Sequence, residues 1–322
     1  MASKPLITVL GSLNMDLVSY VPHHPLPGET LTSTRFAVSP GGKGANQAVA
    51  CAKLSRYPHN PASATAHIRM LGAVGADTYG AQLRENLAHH GVDVSGVAAP
   101  SGLKTGVAII VVDEPTGQNR IVLSPEANHS LRPEQFGSPA ALVGRQDGSL
   151  PDLLIMQLEI PLPTVLAALR LARGNGVPVL LNPAPAQELP AEAYEGLAHL
   201  VVNETEAAIL GGVAESDLDT KEGLDGVGRT FLRRGVQNVV ITLGGRGVYC
   251  VNTTGVKGLV PAEKANVVDT TAAGDTFVGR YALEVVSGNF DIAMAVKEAN
   301  RAAAKTVERL GAQDSIPWLE EL

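Results

Sequence analysis

From Asp152 to Gly247 the chain alternates short apolar runs with helical patterns, and this alternation constrains the fold more than any other feature. DLLIMQLEI is followed by PTVLAALRLARGNG, which ends at a glycine as helices often do. VPVLLNPAP, HLVVNETEAAIL, VGRTFLRRGVQ and NVVITLGGRGV continue the rhythm. Such alternation predicts right-handed crossovers and a parallel central sheet flanked by helices on both faces, an α/β fold. Ligands of these sheets bind at the carboxyl ends of the strands. Polar clusters fall at those ends: Gln157 with Glu159, Asn182 before Pro185, Asn203 with Glu206, and Thr242 before Gly244 and Gly245.

The N-terminal half reads differently. Leu6 to Leu13 is a buried strand broken at Gly11. Residues 14–40 carry short β-prone pieces, LVSYV and TLTSTRFAV, between Pro22, Pro25, Pro27 and Gly28, which predicts a small sheet set apart from the main core. A second β-rich piece, 105–123, reads as a hairpin turning at Glu114–Gly117 and is placed beside the first as a lid. Between them, Gly44 to Leu54 has Ala45, Ala48, Val49 and Ala52 at helical spacing, and 57–67 is a polar, Pro-containing exposed loop. With 322 residues, the protein is long enough for one large domain carrying a small appendage.

Five pieces carry chemistry. In VDTTAAGDTF, small residues precede Asp275, and Phe277, Val278, Tyr281, Ala282 and Val285 follow at helical spacing. Ala272, Ala273 and Gly274 therefore fall at a helix N-terminus, where free amides and the helix dipole form an anion hole. Asp275, in the first turn, is placed to accept a proton from an attacking hydroxyl; taken alone, it is equally a capping acid. In SPGGKGANQAVA, glycines around Lys43 let the backbone approach a ligand, and Asn46 opens the helix with donor and acceptor for a diol. This block is not a Walker motif, because Gly44 follows Lys43 where Ser or Thr is required. Asn14 and Asp16, two apart in extended backbone, share one face and suit a polyhydroxyl ligand, though an ordinary turn reads as well. Asn203 and Glu206 are either a capped helix start or a carboxylate site holding Mg²⁺ through water. Thr242 to Gly247 is a Gly-rich turn suited to lie along a nucleotide.

The net charge of −7 argues against nucleic acid as the main partner, so a phosphate site must be built locally from amides, a lysine and a metal. No apolar run reaches membrane-spanning length, and MASKPLITVL does not read as a signal peptide. Cys51 and Cys250 sit in apolar patterns as buried thiols of a reduced compartment, which points to the cytoplasm with the nucleus left open. The eight histidines show no metal-ligand spacing.

Together, GSLNMD, GGKGANQA, NPAPA, NETEA, DTTAAGDTF and the GAQDSIP end resemble the ribokinase-type (PfkB) carbohydrate kinase family over nearly the whole length. Within that family, the set is most similar to members acting on free ribose. The resemblance implies a single Rossmann-like kinase domain over 1–322 with a β lid from about 14–40 and 105–123, pairing as a homodimer through the lid. It assigns Asn14, Asp16, Gly42, Lys43, Asn46 and Glu159 to the sugar, and Asn203, Thr242, Gly244, Gly245, Gly247 and Asn300 to ATP. Glu206 would organise Mg²⁺ and phosphate, and Asp275 would be the base, with Gly274 and Ala273 in the anion hole. Asp269 and Thr271 offer oxygen just upstream. The resemblance brings Thr306, Arg309, Gly311 and Ser315 beside them as a site for an activating K⁺. The implied reaction is ATP-dependent phosphorylation of D-ribose at its 5-hydroxyl. Its rivals are a deoxyribose, nucleoside or hexose kinase of the family, or a non-catalytic sugar binder on the same fold. Two departures stand out: 57–67 looks like an insertion, and Pro125 to Asn128 replaces the more usual Gly-Ala-Asn, putting Glu126 near the lid.

Overall fold

The computed structural model describes residues 4–144 and 147–322. Strand β1 (Leu6–Leu10) is an unbroken apolar run, and β2 (Asn14–Val21) and β3 (Arg35–Gly41) follow it. Helix α1 (Lys43–Leu54), β4 (His67–Ala73), α2 (Thr78–His89) and β5 (Asp93–Ala98) come next. The hairpin is β6 (Gly106–Asp113) and β7 (Asn119–Ser124). The alternating half supplies β8 (Leu153–Met156), α3 (Leu162–Gly174), β9 (Val179–Leu181), β10 (His199–Asn203), α4 (Glu204–Gly211), α5 (Lys221–Arg233) and β11 (Asn238–Thr242). Two strands, β12 (Val248–Asn252) and β13 (Lys257–Val260), and two helices, α6 (Ala273–Val285) and α7 (Ile292–Thr306), complete the fold.

Nine strands form the large sheet in the order β13-β12-β11-β10-β9-β8-β1-β4-β5. The ladders from β5 to β11 are parallel, as the alternation predicts. At one edge β12 and β13 add an antiparallel pair to the expected parallel central sheet. Only Leu243 to Gly247 separate β11 from β12, too few residues for a crossover, so the backbone must turn back on itself.

Period-two alternation divides the core between the two faces of the sheet. Ile155, Val201 and Val240 pack with α1, α2, α6 and α7. Their neighbours Leu154, Met156, Leu200, Val202, Val239 and Ile241 pack with α3, α4 and α5. Truncating one such fully buried side chain to Ala would cost about 2–5 kcal/mol.

The second sheet has four strands in the order β3-β2-β6-β7. β2 and β6 pair in parallel, and the outer two pairs are antiparallel. One cross-strand row reads Val38, Leu17, Ile109, Val122, and three of these four side chains are exposed. Residues 57–65 are mostly exposed, and the expected loop ends just before His67 opens β4. No helix among the described residues is long and apolar enough to cross a membrane.

Candidate active site

The sheet grows in both directions from β1, with β4 and β5 on one side and β8 to β11 on the other. A crevice must open where the connections diverge, outside the carboxyl ends of β1 and β8. Ser12 follows β1 there, and Glu159 lies just past β8. Glu159 Oε2 accepts from the Ser12 hydroxyl at 2.5 Å and from the Lys43 backbone N–H at 3.0 Å. Asn14 and Asp16 open β2, buried at 3% and 8% exposure. The glycines above them leave room for the backbone to close. A Cβ on Gly41 would stand 2.2 Å from Asp16 Oδ2, and Gly42 has φ of 88° with no space toward the Asn14 amide.

Asn128 secures this corner. Its carbonyl accepts from Leu13 N–H, and its amide donates to Leu13 C=O and to Asn14 Oδ1 at 2.8 Å. The sequence singled out 125–128 only as a departure; the structure makes Asn128 the residue that orients Asn14. Glu126 adopts φ of 47°, a left-handed conformation that favours glycine.

Asp275 lies in the first turn of α6, as expected, and is 7% exposed. Ala272 precedes it in the left-handed region at φ 59° and has no polar side chain to cap the helix, so the first amides of α6 lack intrahelical acceptors. Ala273 N–H reaches Thr270 C=O at 3.3 Å, whereas Gly274 faces open space. Both oxygens of Asp275 are held: Asn46 Nδ2 donates to Oδ2 at 3.0 Å and Gln47 Nε2 to Oδ1 at 2.9 Å. Gln47 was not among the expected site residues. Its spacing in α1 reads as ordinary helix, and nothing local signals a partner 228 residues away.

Burial raises the Asp16 carboxyl to about 7, helped by the negative charge of Glu159 and Asp275. Burial pulls the Lys43 ammonium down, but Asp275, Glu159 and Glu206 outweigh it, and the net displacement is upward. Burial also raises Glu206, against the opposing pull of the Asn203 N–H and Lys43. Three acids, Asp275, Glu159 and Glu206, thus share the field of one lysine.

A cavity of about 510 Å³ lies beside Gly274. Thr242, Gly244, Gly245, Gly247 and Asn300 line it together with Val248, Val267, Phe277 and Val307. Glycine edges with apolar walls suit the phosphates and the flat base of a nucleotide. Asn203 and Glu206 do not line it. They cap α4 reciprocally: Asn203 Oδ1 accepts from Glu206 N–H at 2.8 Å and Glu206 Oε2 from Asn203 N–H at 2.9 Å. The capped-helix reading of that pair therefore holds, while Glu206 still faces Lys43 and Asp275 electrostatically.

The loop leading into α6 lies against the C-terminal segment. Val268 and Asp269 N–H both donate to Val307 C=O, and Gly311 N–H donates to Asp269 Oδ2 at 2.9 Å. Asp269 Oδ1 accepts from the Thr271 amide and hydroxyl. The Thr306 hydroxyl donates to the Thr276 hydroxyl and the Ser315 hydroxyl to Ala312 C=O, each keeping its oxygen lone pairs, whereas the Arg309 guanidinium pairs with Glu321 and leaves only its backbone carbonyl to offer a cation. Among the described residues, no three His, Cys, Asp or Glu side chains gather as a metal cage. Mg²⁺ keeps much of its water and asks for only one or two carboxylates, which the lone Glu206 fits. Cys51 and Cys250 are free and buried, and burial pushes the Cys51 thiol up to about 12.

Known proteins are similar in sequence and in fold. Residues 4–319 match the profile described as pfkB family carbohydrate kinase. A ribokinase of Schizosaccharomyces pombe is 43% identical, the alignment covering 98% of this chain and 96% of the relative. A deoxyribokinase of Salmonella typhi is 35% identical, covering 98% and 96%. The solved structure of Arabidopsis thaliana ribokinase complexed with ribose and ATP superposes with a TM-score of 0.85 at 27% identity, covering 99% of this chain and 97% of that one.

Proposed function

Because the chain belongs to the pfkB family of carbohydrate kinases, we propose that it transfers the γ-phosphoryl group of ATP to the 5-hydroxyl of D-ribose. The position of Asp275 carries this reading. It is buried between the crevice of Asn14, Asp16 and Glu159 and the glycine-edged cavity that reaches Gly274. In the proposed mechanism, Asn14, Asp16, Gly42, Lys43, Asn46 and Glu159 hold the sugar. Thr242, Gly244, Gly245, Gly247 and Asn300 hold ATP, with Asn203 near its phosphates. Asp275 takes the proton of the attacking hydroxyl. The Gly274 amide and the α6 dipole meet the charge developing on the transferred group, with Ala273 contributing once its amide turns from Thr270. When bound, Mg²⁺ neutralises phosphate charge, and Glu206 is the carboxylate that would hold it through water. The domain reads as one unit over 1–322, its four-stranded sheet closing over the crevice as a lid that excludes water.

The deoxyribokinase relative makes 2-deoxy-D-ribose the second reading. A panel of D-ribose, 2-deoxy-D-ribose, D-fructose and adenosine with ATP, read as ADP release, separates the two. The highest kcat/KM is expected for ribose; a clear preference for any of the others removes the assignment.

Two further properties belong to this reading. The stitched loop around Asp269 supports K⁺ activation, since a hard monovalent ion accepts carboxylate, hydroxyl and carbonyl oxygen. Such an ion would fix the loop that aims the Gly274 amide. Adding K⁺ to enzyme in Tris at constant ionic strength should raise turnover several-fold, and Asp269→Ala should abolish the rise; equal rates with and without K⁺ would leave the loop a purely structural feature. The exposed row Val38, Ile109, Val122 supports a two-fold dimer through the small sheet, which would cover apolar area and open strand edges together. Light scattering at micromolar concentration should return twice the mass of one subunit, and a monomer would contradict it. The buried thiols and the absence of a long apolar helix among the described residues are compatible with the cytoplasm as the place of action.

A further inference from the structure

Two relays of amides, all but the outermost Asn86 buried, end on the carboxylate of Asp275. In the first, Asn86 Nδ2 donates to Gln313 Oε1 at 2.6 Å, Gln313 Nε2 to Asn46 Oδ1 at 3.0 Å, and Asn46 Nδ2 to Asp275 Oδ2 at 3.0 Å. In the second, Gln157 Nε2 donates to Gln47 Oε1 at 2.5 Å and Gln47 Nε2 to Asp275 Oδ1 at 2.9 Å. The linking amides Gln313, Asn46 and Gln47 all run the same way, accepting at oxygen and donating at nitrogen, so their dipoles align toward the carboxylate and polarise one another, while at the outer end of the second relay Gln157 Oε1 is buried without a partner. Gln313 is 4% exposed and Gln47 and Gln157 are fully buried. Burying an amide is costly unless it is hydrogen-bonded.

The two relays differ in how firmly they are set. Gln47 is fixed twice, because its nitrogen also donates to Asn182 Oδ1 at 3.0 Å. For Asn46, the Gln313 N–H is what fixes the side chain. If that amide turned over, it would point its oxygen at a carboxylate oxygen. Gln313 is itself anchored, since Lys53 Nζ donates to its backbone carbonyl at 3.2 Å. We propose that Gln313 is a positioning residue for phosphoryl transfer: it holds the Asn46 amide nitrogen-first toward Asp275, and so holds the carboxylate aimed at the attacking hydroxyl. This rests on the reading of Asp275 as the base.

Gln313→Met keeps length and removes the donor. At saturating ribose and ATP, kcat should fall about tenfold, below the ~10²-fold that larger misplacement of a reacting group costs, with KM for ATP unchanged. The deciding measurement is a double-mutant cycle with Asp275→Asn. If Gln313 acts through Asp275, adding Gln313→Met to Asp275→Asn should change the residual kcat by less than about twofold. An equal loss in both backgrounds, or wild-type kcat in Gln313→Met, overturns the proposal alone. Wild-type turnover in Asp275→Asn removes the base reading and this proposal with it. Thermal unfolding accompanies each variant. If Gln313→Met does not fold, Asn86→Ala at the part-buried outer end takes its place in the same cycle, with an expected loss of about threefold.

Discussion

Asp275→Asn is expected to lower kcat by at least about 10²-fold, the low end for loss of a general base, with a small change in KM for ribose. The substitution preserves shape and burial but removes the proton acceptor. It also puts an NH₂ group where both carboxylate oxygens now accept amide N–H bonds, from Asn46 and from Gln47. One of these pairs then becomes donor against donor, so some loss of order at the first turn of α6 accompanies the chemical loss. Steady-state kinetics and a thermal melt separate the two contributions. Near wild-type turnover in a folded Asp275→Asn protein would sink the role given to this residue.

The second large effect concerns Asp16, whose replacement should stabilise the protein while disabling it. Burial, then Glu159 and Asp275, raise its carboxyl to about 7, above the 3.8 of an unperturbed Asp. Between those values the folded state binds more protons than the unfolded state, so the contribution of Asp16 to stability falls as pH rises through the window and stays low above it. The cost of ionising it is a few kcal/mol, at most ~4 kcal/mol above pH 7. Asp16→Asn removes that cost. The variant should melt several degrees above wild type at pH 8, and the difference should vanish as pH falls toward about 4. His199 works in the opposite direction, because burial lowers it to about 3 and its neutral form is favoured in the folded core. Comparing wild type with the variant cancels that shared slope. Ribose binding should suffer meanwhile, because a hydrogen bond to a charged acceptor is worth about 1.5–3 kcal/mol, or roughly 10- to 10²-fold in KM for ribose. A variant with unchanged KM, or one melting below wild type at pH 8, would mean that Asp16 is a structural residue.

Much of this arrangement was legible in the sequence because it is local. Continuous apolar runs interrupted by helical patterns gave the α/β architecture, and small residues ahead of Asp275 with Phe277, Val278 and Tyr281 behind it placed that acid in a first helical turn. The Gly-rich approach to α1 was likewise readable, since only glycine lets the backbone pass so close to Asp16. What escaped depends on distant pairing. The direction of β12 follows from a turn too short for a crossover, which hydrophobic periodicity does not report. Gln47, Asn128 and Gln313 look like ordinary polar residues in their own segments; their roles appear only when partners 228, 115 and 267 residues away close the hydrogen bonds. Asn203 and Glu206 show the converse, a motif whose local geometry is satisfied by capping α4 before any ligand arrives.

The central claim is transfer of one phosphoryl group from ATP to the 5-hydroxyl of ribose. Phosphorus–proton correlation NMR of the product tests it most directly. Equimolar ATP and D-ribose with Mg²⁺ and K⁺ should yield ADP and sugar phosphate in equal amounts, the phosphorus coupled to the two protons on C5. Phosphorus coupled to the C1 proton, or ADP formed with inorganic phosphate and no sugar phosphate, would contradict it.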